Sequence, residues 1–172
     1  MTLPAPSEFA GADLALALSG SWFGAGLTPE AVTRLAAIAE VRDLVPGDVV
    51  VAEGQVAETL GIVLSGRIAL RMLVPERGTV TILTVEPGDV VGWSAVVAPY
   101  RGTDDAVAIE PVRLLTFSGE RLRLLLRADP LLAASLYPRL LQSVGRRLAA
   151  TRMQLLDLFA REEWVRSETK QW

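Results

Sequence analysis

VPGDVV at residues 45–50 returns as EPGDVV at residues 86–91. Proline presets φ and glycine accepts a positive φ, so Pro46-Gly47 and Pro87-Gly88 both read as type II turns. Each turn feeds the chain into β-branched residues. Outward from this pair, short apolar runs cut by Gly and Pro fill residues 41 to 117: VRDL (41–44), DVVVA (48–52), TLGIVL (59–64), RIALRML (67–73), TVTILTV (79–85), DVV (89–91), AVAIE (106–110) and VRLLTF (112–117). Eight strands at such close spacing predict a barrel or jelly roll and not alternating βαβ units. Two copies of the turn are too few for a solenoid.

The flanks of this β-rich zone carry helical signals. Thr28-Pro29-Glu30 supplies an N-cap, a proline at the first helical position and an acid in the first turn. Val32, Leu35 and Ala36 then recur at helical spacing. Ser118 can cap GERLRLLLRA, and Asp129-Pro130 opens a further helix that Pro138 is expected to bend or restart. From Pro138 to Trp164 only Gly145 interrupts, so a continuous helix there would extend about 40 Å. The expected fold class is α+β, one domain over residues 1–172. N-terminal helices occupy 8–40, an eight-stranded antiparallel β-roll 41–117, and a short then a long C-terminal helix 118–166.

Composition narrows the chemistry. Of 172 residues, 51% are hydrophobic and 22% charged, which is a globular balance. The net charge of −3 argues against a nucleic-acid binder. The chain has neither His nor Cys, which removes thiolate nucleophiles, histidine triads and most metal sites. No metal or catalytic residue is expected, and adjacent Asp104 and Asp105 read as a solvated pair at a strand start before an acid–base couple. The opening segment lacks a basic n-region, and no run approaches the roughly 18 apolar residues of a membrane span. A cytoplasmic protein with no membrane contact is the expectation.

Leu141, Val144, Leu148, Thr151, Leu155 and Leu158 fall at spacings of 3, 4, 3, 4 and 3, a coiled-coil seam. Leu140, Met153, Leu156 and Phe159 form a second stripe. One stripe can pack on the roll and the other on a second copy, which predicts a homodimer through the long helix. Arg146, Arg147, Arg152 and Arg161 share that helix, either as a solvated basic face or as a cationic face aimed back at the roll.

Helices, roll, short helix and long helix occur in the order of the cyclic-nucleotide-binding domain of the catabolite activator superfamily. The chain resembles that family at PGDVVVAEGQ (46–55), GIVLSGRIAL (61–70), EPGDVVGW (86–93) and RRLAATRMQLLDL (146–158). The family's phosphate cassette reads F-G-E, then small residues, then an arginine. The resemblance implies a ligand site at Gly92, Trp93, Ser94, Ala95, Tyr100, Arg101, Thr103 and Asp104, with Arg147 and Thr151 approaching from the long helix. Gly92 keeps the glycine and Ser94–Ala95 the small residues. Trp93 stands where the glutamate is expected, and the arginine position falls near Thr103 or Asp104, with Arg101 two or three residues early.

These departures shape the functional expectation. Exposed backbone N–H groups hold a cyclic phosphate, while an arginine and a glutamate grip the phosphate and the ribose. Both grips are replaced here. Trp93 is either a plug filling the sugar's volume or a platform for an aromatic ligand, the plug being favoured. The expected function is non-enzymatic: a regulatory or sensory module with a divergent pocket that needs no cofactor and signals to an unidentified protein partner. The alternative is a genuine cyclic nucleotide sensor with a cassette remodelled around Arg101, Arg147 and Thr151. After Phe159 only AREEWVRSETKQW follows, too short and too acidic for the family's helix-turn-helix, so DNA binding of that kind is not expected.

Overall fold

The computed structural model describes residues 11–74 and 78–168, with side chains through Met153. Two helices, α1 (Gly11–Gly20) and α2 (Pro29–Ala36), precede eight strands: β1 (Ala39–Leu44), β2 (Val49–Val51), β3 (Thr59–Ser65), β4 (Ile68–Val74), β5 (Gly78–Val85), β6 (Val90–Val91), β7 (Asp105–Ala108) and β8 (Val112–Ser118). Helices α3 (Gly119–Ala128) and α4 (Pro130–Glu168) close the chain. The strands form two antiparallel four-stranded sheets, ordered β1-β8-β3-β6 and β2-β7-β4-β5. Apart from the β4–β5 hairpin, consecutive strands sit in opposite sheets, as a jelly roll requires.

The repeated turns are built alike. Gly47 and Gly88 have φ of 99° and 92°. Asp48 and Asp89 close each turn, their carboxylates accepting from the N–H groups of Val45 (2.9 Å) and Glu86 (3.3 Å). Gly47 N–H donates to Ala108 of β7 and Gly88 N–H to Val63 of β3. One turn therefore belongs to each sheet.

Strand β8 reads almost continuously apolar because it is covered on both faces. Leu115 and Phe117 join a core shared with the helices, beside Phe23, Leu35, Leu122 and Leu136. Val112 and Leu114 point the other way, into a core between the sheets with Val63, Leu70 and Val85. Each fully buried large side chain contributes roughly 2 kcal/mol.

The helix caps follow the sequence signals. Thr28 Oγ1 accepts from Ala31 N–H at 3.2 Å, and Asp129 Oδ1 accepts from Leu132 N–H at 3.0 Å. Pro138 does not restart a helix but lies inside continuous α4. Both Pro138 and Ala134, whose carbonyl loses its partner, are exposed. Water can satisfy that carbonyl, which lowers the cost of the missing bond. No helix among the described residues is long and apolar enough to cross a membrane.

Candidate ligand site

The site begins where β6 ends. Gly92 has a φ of 74°, and a Cβ there would lie 2.1 Å from the Thr59 carbonyl oxygen, so only glycine fits. The chain then makes one 3-10 turn, Trp93–Ala95, with Ala95 N–H donating to Gly92 O at 2.9 Å. Ser94 and Ala95 are buried. Gly119, at the start of α3, lets this turn approach closely: a Cβ on it would meet Ala95 O at 2.8 Å.

Two arginines from the C-terminal helices reach into the region. Arg123 of α3 donates to the Ala95 carbonyl. Arg147 of α4 donates through Nη2 to the Val90 carbonyl. Burial lowers the Arg147 pKa from its usual value, while the nearby carboxylates of Asp104 and Asp89 act the other way. With its high intrinsic pKa the guanidinium stays charged. The niche framed by Gly92, Ser94, Thr103, Asp104 and Arg147, where the resemblance places a phosphate, has no room for a water molecule.

Beside this niche lies a cavity of about 160 Å³ between the roll and α4. Trp93, Thr103, Asp104, Arg147 and Thr151 line it, together with apolar groups such as Leu83. Half-buried Trp93 packs against the helix-side core and walls this cavity without filling it. Thr151 Oγ1 donates back to Arg147 O at 2.9 Å.

The structure thus brings Gly92, Trp93, Ser94, Thr103, Asp104, Arg147 and Thr151 together, with Ala95 buried behind them. Tyr100 and Arg101 do not line these cavities. Arg101 is exposed, and its Nη1 donates to Gly54 O at 2.8 Å. The Tyr100 ring lies under Arg123, 4.6 Å from its guanidinium carbon. The cause is backbone pairing: Ala57 N–H bonds Tyr100 O, Gly54 N–H bonds Gly102 O, and Gly102 N–H bonds Gln55 O. This stitching holds residues 100–102 against the loop before β3. Asp105 opens β7, half-buried, and its Oδ1 accepts from Glu53 N–H at 2.7 Å.

On the seam, Val144, Leu148 and Thr151 line the cavity, Leu148 remaining 51% exposed, whereas Leu141 lies off it and is 70% exposed. The side chains of Leu155, Leu158 and Arg161 lie outside the described residues. Arg146 is exposed but lies over the Trp22 ring, 4.3 Å from its centroid. Sequence reasoning missed Arg123, Trp22 and Asp89 as neighbours of the site. The signal available was the Arg146-Arg147 pair, whose inward-aimed alternative describes Arg147.

Fold and site define a two-sheet β-roll with a tight turn after β6, backed by a C-terminal helix. The chain belongs to the cyclic nucleotide-binding domain family, whose model matches residues 41–129. It is 29% identical over 134 residues to the CRP-like cAMP-activated global transcriptional regulator of Mycobacterium tuberculosis, covering 77% of this chain and 58% of that protein. It therefore spans less than two thirds of that relative. Among solved structures, the N-terminal domain of a Streptomyces coelicolor transcriptional regulator superposes with a TM-score of 0.61 at 26% identity, covering 81% of this chain and 94% of that one. The Thermus thermophilus catabolite activator protein gives a TM-score of 0.62 at 27% identity, covering 82% and 64%. These relatives of the cyclic nucleotide-binding fold are regulatory proteins.

Proposed function

We propose that this chain is a non-enzymatic regulatory module whose helix α4 is docked on its roll without a cyclic nucleotide and acts through protein contacts. The observation that carries the reading is the narrow niche at Gly92 and Ser94, with Asp104 near the arginine position and Arg147 reaching in from α4. Losing a charged hydrogen bond to phosphate costs about 1.5–3 kcal/mol, and each ~1.4 kcal/mol is tenfold in affinity. An acid beside the phosphate adds repulsion. The neighbouring cavity of about 160 Å³ also falls below the roughly 300 Å³ at which small-molecule pockets begin.

Exposed Leu141 and Leu148 give α4 an apolar face suited to a second copy, and the homodimer belongs to the proposal. The partner that reads the module is taken to be a protein, in keeping with the net charge of −3. The test is thermal: about 100 μM cyclic AMP or cyclic GMP is expected to leave the melting temperature in place, because a ligand shifts stability only as it approaches its Kd.

A second reading is a cyclic nucleotide sensor with a remodelled cassette. The observation favouring it is that Arg147 and Thr151 line one cavity with Trp93. A shift of several degrees that Thr151→Ala abolishes would establish that reading and sink the first.

A further inference from the structure

Arg147 occupies a seat with the features of a cation site. Its Nη2 donates to the Val90 carbonyl. Its side chain is the shared wall of two cavities, about 160 Å³ toward Trp93 and about 180 Å³ toward Trp22. Asp104 lines the first and Asp89 the second. A carbonyl oxygen, two carboxylates and the Trp93 indole favour positive charge, while Arg146, which also lines the second cavity, already covers the Trp22 ring there. Planar guanidinium pairs with carboxylates and stacks on aromatic rings better than ammonium does. The second cavity lies outside the phosphate cassette, between the turn after α1, the Asp89 turn and α4.

We propose that this seat is a binding site for a small organic cation bearing a guanidinium group, filled in the free chain by Arg147 as a tethered occupant. The inference rests on the preceding reading and names the ligand class for a cavity unsuited to cyclic nucleotides. Neither cavity alone reaches the roughly 300 Å³ of ordinary ligand pockets, but the two together do, and withdrawal of Arg147 joins them. A cation that replaces Arg147 also releases α4 from β6, which couples binding to helix docking. Tethering gives Arg147 an effective concentration in the millimolar range, so the seat is best assayed with the tether removed.

The experiment compares the melting temperature of the full chain with that of Arg147→Ala, with and without roughly 10 mM methylguanidinium, far above the Kd the seat needs for a measurable gain. The variant is expected to melt several degrees lower and to recover at least half the loss with methylguanidinium but not with equal sodium chloride. The wild type shows no comparable gain, and adding Asp104→Asn to the variant removes the recovery. Arg147→Met, which keeps the apolar stem, replaces the alanine variant if that one does not fold. No recovery, equal recovery with sodium chloride, or recovery with inorganic phosphate instead would overturn the proposal. Cyclic AMP on the wild type is scored separately: binding there defeats the regulatory reading, whereas failed guanidinium recovery defeats only the seat.

Discussion

Arg123 and Tyr100 form a cation–π pair, the guanidinium carbon 4.6 Å from the ring centroid, while Nη1 of the same arginine bonds the Ala95 carbonyl. One side chain of α3 thus grips the start and the far end of the cassette loop. Protein groups hold both ends of the loop.

Replacing Arg123 with Ala should loosen that loop. A charge-assisted bond and an exposed cation–π contact together contribute about 2 kcal/mol. Hydrogen exchange should rise at residues 95–102, with little change in β1 or β8. Uniform protection across the loop in the variant would show that the Gly54 and Gln55 bonds alone suffice.

Two glycines should respond in opposite directions to the same change. Gly92→Ala combines a positive φ with a clash at the Thr59 carbonyl and should cost about 3 kcal/mol or more. Gly145 lies inside α4, and a methyl group there would meet nothing within 4 Å. Gly145→Ala should therefore raise stability by about 0.5–1 kcal/mol through helix propensity. Urea titrations of both variants measure the contrast.

The exposed stripe on α4 makes the oligomer testable. Leu148→Glu should convert a dimer to a monomer in light scattering at micromolar concentration, with the fold retained by circular dichroism, because an acid at the centre of an apolar seam is left unpaired. A variant that remains dimeric would move the interface off this face.

Acid should weaken one link between strands. Asp43 of β1 accepts from Arg113 Nε at 2.7 Å and from its Nη2 at 3.0 Å. That bonding holds the Asp43 carboxyl below its usual value. A depressed folded-state pKa gives stability that is complete above the unfolded value, about 3.9, and lost as pH falls through the folded one. The stability gap between wild type and Asp43→Asn should therefore be constant from about pH 5 to pH 7 and narrow below about pH 4. Both groups are partly exposed, so the gap is small.

The roll was legible because its grammar is local. Proline and glycine punctuate it, and short apolar, β-branched runs mark the strands. The predicted runs at 59–64 and 112–117 lie within β3 and β8. Gly92 and Ser94 were legible as a tight turn for the same reason. Arg101 was not, because its position depends on pairing with residues 54–57, far away in the chain. Pro138 starts no new helix, and sequence did not show that the residues around the lost bond, Ala134 and Pro138, are exposed. Arg147 looks like any helix-surface arginine until the roll beneath it is in place.

Arg139 of α4 donates through Nη1 to the carbonyls of Phe23 at 3.1 Å and Ala25 at 2.7 Å, and Arg146 covers the Trp22 ring. The turn after α1 is therefore harnessed to α4 at two points, two helical turns apart. If α4 swings, the turn must travel with it or the guanidinium must leave the indole. Either event changes the surroundings of Trp22, which makes that ring a native optical gauge of helix position.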